Sequence, residues 1–465
     1  MAAPAGAPTG KARDISKPFN GGELLICGST DWDQIGRKDP KKKDQEAERL
    51  IKYPNLTEPH RFKAVIGKKI HLIAAGSSAC HSVIVDGDGK AYAFGRNEFG
   101  QLGLGDTVQR NAPTQIEGPL KDKKVVAAAC GKHHTIVVTE DGEAYAMGSN
   151  KHGQLGIGQI DTKVPEHFLT TPTKCQVPKC QNAKCGAEFS VWVCDGALYS
   201  AGLPQYGQLG HGTDHQYNAA DNTIKLVFEP QPVPKKIEGL LRGKTVTSVA
   251  CGNNHCVCVT KEGLCFTWGD GGYGKLGHNK QHEEKLPRPV EALLRGYTCA
   301  PDSLLAASQN ATLATVQPDG QLFACGKLKV SGDGLMRPMP LQHLQGWKLR
   351  DISAGTVTFA VCSDTSTVTW GQAQYGECGF GPNGKKSSAN PERVPSLEGI
   401  LTQRVACGMG HTMFLVEATE EQLKDFPVWE SEVTHEEEEE HAKEREEKRK
   451  RKLPQGGGAS KKARR

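Results

Sequence analysis

An all-β fold, a seven-bladed β-propeller closed by pairing of N- and C-terminal half-repeats, follows from three observations on the sequence. Two short motifs alternate along most of the chain, with seven copies of each. Successive copies lie roughly 45 to 67 residues apart, the period of propellers and solenoid arrays. The repetitive part begins on the second motif alone and ends on the first motif alone.

The first motif is a short apolar strand ending in a small residue and glycine, then a loop and a second apolar strand. It reads Ala75-Gly76 before His81–Val85, Cys130-Gly131 before His134–Val138, Cys185-Gly186 before Ser190–Val193, and Cys251-Gly252 before His255–Val259. It returns as Ala354-Gly355 before Phe359–Cys362 and Cys407-Gly408 before His411–Val416, with a degraded copy at Ala306–Val316. The second motif is a strand, a glycine and a Gly-Gln-Leu-Gly-like turn. Copies are Gly100–Gly103, Gly153–Gly156, Gly207–Gly210, Gly274–Gly277 and Gly376–Gly379. Cys325-Gly326, in the sixth repeat by chain order, has lost the turn, and Cys27-Gly28 with Asp33–Gly36 supplies the seventh copy. The 54 glycines suit many tight turns between short strands, and Asp-Gly pairs such as Asp141-Gly142 mark hairpins.

A four-stranded unit cannot bury both of its faces alone, so the units must stack radially. Leu24–Gly36 at the start and Val405–Val416 at the end are complementary halves of one unit. Joining them closes the ring and removes exposed strand edges. The chain therefore divides into an N-terminal arm (1–20), a propeller (21–417) and a charged tail (418–465). Two connections are long. Residues 37–70 include an expected short helix near Asp44–Ile51. Residues 213–244 carry Leu226–Lys236, either a Pro-stiffened blade linker or a wedge aimed at a partner protein.

Charge is unevenly distributed. The net charge is +5, but His441–Arg465 alone carries +8, leaving −3 for the rest. A near-neutral body argues against DNA held over the propeller itself. In the tail, Glu436–Glu440 is acidic, and from Ser431 onward a solvated helix held by i,i+4 pairs is expected. Lys448, Arg449, Lys450, Arg451 and Lys452, then Lys461, Lys462, Arg464 and Arg465, read as a bipartite nuclear-import signal, which implies an importin partner. The same arm could reach nucleic acid or the acidic tails of tubulin.

No apolar segment is long enough for a membrane span, and the first residues lack the apolar core of a secretory signal. The 16 cysteines are expected to be reduced thiols. Cys175, Cys180 and Cys185 lack the close paired spacing of a zinc site, so no metal is expected. His81, His134, His255 and His411 hold one position in different units, which points to imidazoles bonding neighbouring backbone within each blade. Gly269–Gly274 and Gly379–Lys385 match nucleotide-loop patterns by letter but lead into no helix. Asn55–Thr57 is a glycosylation sequon given no weight without a secretory route. No nucleophile with base and orienter stands out. No catalytic residue, cofactor or covalent chemistry is expected.

This alternation resembles the regulator of chromosome condensation propeller family over residues 21–417, and within it the second, telophase-disk type of paralogue. The resemblance is carried by Gly22–Lys38, Pro59–Phe62, Cys185–Ser190 and Gly269–Gly274. That paralogue type has a long basic N-terminal extension, whereas the basic cluster here is C-terminal. The resemblance implies that the face bearing the loops after the small-Gly pairs engages a small GTPase of the Ran, Rac, Ral or Arf type. The candidate contacts on it are Lys132, His133, Glu188, Asn253 and Asn254. Glu188 is the only acidic residue in this loop set, fewer than the family's Ran exchange factor carries there. The function expected is regulation of a small GTPase in the nucleus or in mitosis, as an exchange factor or a binder of the nucleotide-free form. The alternative is a non-catalytic scaffold on chromatin or microtubules. The expected location is the nucleus, with a cytoplasmic or mitotic-apparatus pool.

Overall fold

A computed structural model of the chain describes residues 19–37, 49–160, 167–220, 224–294, 296–329, 332–364 and 366–452, with side chains to residue 447. The N-terminal arm before residue 19, most of the expected helix near Asp44–Ile51 and the basic cluster at 461–465 lie outside the described residues; residues 49–52 are helical.

Among the described residues, seven sheets, antiparallel but for one strand added to the seventh, form a ring of blades, with one further two-stranded hairpin. Blade 1 spans 70–115, blade 2 125–174, blade 3 182–236, blade 4 246–289, blade 5 305–340 and blade 6 349–393. The degraded sequence copy at Ala306–Val316 makes the inner half of blade 5. Blade 7 is built from both ends of the chain. Leu401–Cys407 and His411–Glu417 supply its inner strands, and Glu23–Ser29 and Asn55–Phe62 its outer ones. The closing register runs from Glu23 opposite Val416 to Gly28 opposite His411, as the complementary half-repeats require.

The strands are placed by burial and by proline. In blade 2, His134–Thr139 is buried at every position, because both faces of a blade are covered by its neighbours. The fourth strand of every blade contains proline, from Pro59 and Pro113 through Pro172, Pro232, Pro287, Pro338 and Pro391. Proline cannot donate to a ladder, so it suits an outer edge and discourages further pairing. The apolar cores lie between blades. One cluster joins Val83 and Ala93 of blade 1 to Val137 and Met147 of blade 2.

The glutamine of the Gly-Gln-Leu-Gly turn is a local cap. Gln101, Gln154 and Gln208 each turn the side-chain oxygen back to accept the backbone N–H two residues earlier, at 2.9, 2.9 and 2.7 Å. Glu377 does the same in blade 6, accepting from Gln374 and Tyr375. The glycine that ends the turn is dictated twice over. Gly156 has φ +62°, and a Cβ there would stand 2.5 Å from the Trp192 indole of the next blade. Gly156→Ala is expected to cost about 2–4 kcal/mol from backbone strain plus overpacking. Its urea midpoint, compared with that of the parent, measures this, and an unchanged midpoint would refute it.

The repeated histidines bond across blade junctions, not to backbone within a blade as expected. His81 Nε2 lies 2.7 Å from Thr135 Oγ1, His134 Nε2 3.0 Å from Ser190 Oγ, His255 Nε2 2.8 Å from Thr312 Oγ1, and His411 Nε2 2.7 Å from Ser82 Oγ. Each partner belongs to the next blade. Thr135, Ser190 and Thr312 donate their own protons to the carbonyls of Gln101, Gln154 and Lys275. The imidazole must then donate through Nε2 in at least these three seams, and burial, which pulls each pKa down, keeps the ring neutral. Within the described residues, no helix is long and apolar enough to cross a membrane.

Candidate functional site

In each blade the first and third strands run toward the same end of the ring. The loops after the small-Gly pairs and the Gly-Gln-Leu-Gly turns therefore share one face. Around the axis the seven inner strands line a channel of about 660 Å³. On the loop face the chain knits across the channel. Lys132 N–H donates to Ala187 O and Ala187 N–H to Asn253 O, linking blades 2, 3 and 4 at 3.1 and 2.9 Å. Met409 N–H donates to Ala79 O at 2.8 Å, joining blades 7 and 1. Ser77 Oγ reaches over the ring to Asn253 Oδ1 at 2.7 Å, and Thr356 Oγ1 donates to Ser77 O. The loops thus form a fixed floor.

The five candidates fall on one arc of this floor, over blades 2 to 4. Lys132 is exposed, and its backbone is held by Ala187. His133 is half-buried with its ring 4.6 Å from that of Phe99, and burial pulls its pKa down to about 3. It is therefore a neutral packing group. Glu188 faces His152 Nε2 at 3.6 Å, where burial lowers the imidazole pKa against the pull of the carboxylate. Asn253 uses its side-chain oxygen on Ser77, and the carbonyl of Asn254 accepts from Asp270 N–H. Lys132 and Glu188 present charge outward, while His133 and Asn253 hold the floor in shape.

Beside this arc the connection between the third and fourth strands of blade 3 projects as its own hairpin. Gln216–Asn218 pairs with Leu226–Phe228. Tyr217, Ile224 and Leu226 are exposed on it at 52, 85 and 53%. Lys285 of blade 4 anchors its base through Asp214 at 2.7 Å. On the same face, Tyr273 is an exposed aromatic held at φ +61°, with Lys327 Nζ 5.1 Å from its ring centre.

The opposite edge of the loop face, at the seam of blades 7 and 1, is occupied by the tail. The expected solvated helix is a docked one. Val428–Trp429 adds a short parallel strand outside Asn55–Phe62, and Trp429 packs on Phe62 at 4.8 Å between ring centres. The helix His435–Lys452 follows, with Glu438 only 2% exposed. Its carboxylate accepts from Tyr53 Oη of blade 7 at 2.8 Å and Asn111 Nδ2 of blade 1 at 2.9 Å. Arg445 pairs with Asp33. Sequence reasoning missed this docking. The signal was Leu423, Phe426, Trp429 and Val433, regularly spaced apolar residues in an otherwise charged segment, and all four are buried. Side chains of the basic run from Lys448 to Lys452 lie outside the described residues.

No group of three or more His, Cys, Asp or Glu among the described residues is placed to hold a metal ion. Cys175, Cys180 and Cys185 are each buried, and Cys185 Sγ faces Ala129 O. The stretch from Gly269 to Gly274 ends in a single 3-10 turn (Gly272–Gly274), with no helix N-terminus to receive a pyrophosphate.

The repeat model for regulator of chromosome condensation matches residues 88–138, 141–193, 195–259, 262–299 and 369–415. Human protein RCC2 is 37% identical over 431 residues, covering 87% of this chain and 79% of that protein. The chain belongs to the regulator of chromosome condensation family. Its Xenopus laevis relative, a protein RCC2 homolog, is 38% identical over 421 residues, covering 87% of this chain and 80% of that one. Among solved structures, yeast RCC1 (Prp20) bound to Kap60 superimposes with a TM-score of 0.67 at 19% identity, covering 91% of this chain and 96% of that one. Prp20p from Saccharomyces cerevisiae, solved with its binding to Gsp1p and histones described, gives a TM-score of 0.66 at 18% identity, with 88 and 94% covered. These structures share the fold. The RCC2 relatives, at higher identity, share the family branch that the opening strand and the blade 4 loop indicate.

Proposed function

We propose that the chain regulates a small GTPase by binding its nucleotide-free form on the loop face, with the blade 3 hairpin as the wedge. The hairpin carries this reading: three large apolar side chains stand exposed on a braced two-stranded ladder beside a rigid floor. Exposed apolar groups of this kind on a fixed scaffold mark a partner surface. Exchange needs no covalent step. It needs a surface that binds the nucleotide-free state better than the loaded one, so that binding energy shifts the equilibrium toward release. Lys132 and Glu188, on the same face, are the charged contacts of this reading. The described binding of the yeast relative Prp20p to Gsp1p and histones supports a partner of this kind. Action in the nucleus, with entry on an importin through Lys448–Lys452 and Lys461–Arg465, is part of the same reading. The relative bound to Kap60 supports it.

The test is release of fluorescent GDP from Ran, Rac, Ral and Arf proteins in the presence of the full chain. Acceleration on one of them is expected, and Leu226→Asp should reduce it at least tenfold while the melting temperature stays within about 2 °C, as for exposed positions generally. Tight binding of an empty GTPase without acceleration would mean sequestration. No binding to any would reject the proposal in favour of a scaffold that holds chromatin or microtubules by its tail.

A further inference from the structure

Blade 4 differs from every other blade at one rung of its inner hairpin. The residue before the small-Gly loop and the residue after the repeated histidine position face each other across the first two strands. In blades 2, 3 and 7 this rung pairs a thiol with a hydroxyl: Cys130 with Thr135, Cys185 with Ser190, Cys407 with Thr412. Blade 5 pairs Ala307 with Thr312, and blade 6 Ala354 with Phe359. In blade 4 both are thiols. Cys251 stands opposite Cys256, with their Sγ atoms 3.6 Å apart.

The rung is suited to a bridge. Gly252 N–H donates to His255 O at 2.9 Å, so Gly252 and His255 form the hydrogen-bonded rung nearest the turn. Alternation in an antiparallel ladder makes the next rung a non-hydrogen-bonded one, where Cα atoms approach to about 4.5 Å. That lies at the near end of the Cα range for disulfides, about 4.4 to 6.8 Å. The sulfurs already touch, and bonding needs only small side-chain rotations. Cys251 is partly exposed, and Cys256 is buried behind it.

We propose that Cys251 and Cys256 form a peroxide-driven, reversible cross-strand disulfide that locks the loop bearing Asn253 and Asn254. The exposed partner reacts first. The Cys251 thiol gives up its proton, the thiolate attacks one peroxide oxygen, the O–O bond breaks, and sulfenic acid forms while the departing hydroxide takes up the released proton as water. Cys256 Sγ then attacks the Cys251 sulfur and expels hydroxide, which takes up the Cys256 thiol proton and leaves as water. Two thiols and one hydrogen peroxide give one disulfide and two waters, with two electrons passing from the sulfurs to the peroxide. A thiol reductant reverses the step. The bridge encloses Gly252–His255. It therefore constrains both the loop-face residues Asn253 and Asn254 and the imidazole that bonds Thr312 in blade 5.

The experiment exposes the reduced full chain to hydrogen peroxide at neutral pH, quenches with acid, alkylates under denaturing conditions and sequences the tryptic peptide 245–261 by mass spectrometry. The expected product is lighter by two hydrogens, with Cys251 and Cys256 protected and Cys258 alkylated, and it reverts with dithiothreitol. Cys258→Ser should retain it, and Cys251→Ser should abolish it. Three alkylated cysteines, a Cys251–Cys258 linkage, or Cys251 accumulating as sulfinic acid with Cys256 still alkylated would each overturn the proposal. Wild-type mapping alone decides, so a variant that fails to fold does not blunt the test. An effect of the bridge on GTPase binding rests on the function proposed above; the bridge itself does not.

Discussion

Acidification from pH 7.5 to 5.5 is expected to remove about 5 kcal/mol of the stability of this ring through its seam histidines. The four seam histidines are wholly buried, and burial lowers each pKa, to about 3 for His134 and about 4 for His411, and well below normal for His81 and His255. The Nδ1 of each is buried, and backbone carbonyls near His134, His255 and His411 offset only part of the burial cost of a second proton. The unfolded chain binds protons near pH 6.5, and the folded chain resists them until well below that. Nothing is lost above about pH 6.5. Below it, each histidine removes about 1.4 kcal/mol per pH unit, and the four together about 5 kcal/mol, comparable with the whole stability of a typical domain. His133, His152, His211, His215 and His278 are also lowered by burial and add to the total, so the seam share is read from the uptake lost when a seam histidine is replaced. Denaturant midpoints at pH 7.5, 6.5 and 5.5, with proton uptake on unfolding, measure this, and an uptake unchanged by His134→Phe would show that the seam accepts charge.

The ring contains its own control. In blade 3 the histidine position holds Phe189, and the facing residue of blade 4 is Cys256, not a hydroxyl; both lie in one apolar cluster. In blade 5 the position is Ala311, and the facing residue is the large Phe359. Donor and acceptor have changed together, as expected of a contact between them. Replacing His134 by Phe and Ser190 by Cys copies the blade 3 seam into blade 2. The double variant should keep its stability at pH 7.5 within about 2 kcal/mol and lose one proton of uptake. His134→Phe alone leaves Ser190 without its imidazole partner and should be the less stable of the two.

These seams show what a repeat sequence discloses. Motif order and the split of the first and last units were enough for the ring, the blade count and the closing strand, because glycine turns and apolar runs are local signals. The histidines were visible as a repeated position, but their partners were not. Thr135 stands 54 residues from His81, one full repeat away, and only stacking brings them together. The candidate loops were placed on one face by the same order of strands. Which of their side chains point outward was not legible, because the Ser77 to Asn253 bond crosses the ring between positions 176 residues apart. The tail was misread for a different reason. Its charge dominates the composition, and four buried apolar residues among so many acids and bases do not register until the outer strand of blade 7, where Trp429 meets Phe62, is seen.

Deleting residues 418–465 is expected to open the closure seam. The N-terminal strands are held in blade 7 by pairing with His411–Glu417 on one side, and the tail covers their other side. Leu423, Phe426, Trp429 and Val433 are 4 to 8% exposed in the full chain. At about 1.5–3 kcal/mol for each buried side chain, their loss removes on the order of 6 kcal/mol. Arg61 N–H loses the Pro427 carbonyl at 2.8 Å, and Phe62 loses Trp429. The truncated chain should melt about 10 °C lower. Glu438→Ala isolates the polar part. It leaves Tyr53 Oη and Asn111 Nδ2 without their buried acceptor on both sides of the seam, at about 2–4 kcal/mol. Glu438→Gln keeps an oxygen for both donors and should cost less than half as much. Equal melting temperatures for the 1–417 chain and the full chain would refute the role of the tail as a clasp. The same comparison governs any reading of partner binding. A propeller cut at 417 that no longer binds its partner has lost either a tail contact or a closed ring. Glu438→Ala, which loosens the seam and leaves the basic residues in place, tells the two apart: reduced binding in that variant assigns the loss to the ring, and full binding assigns it to the tail.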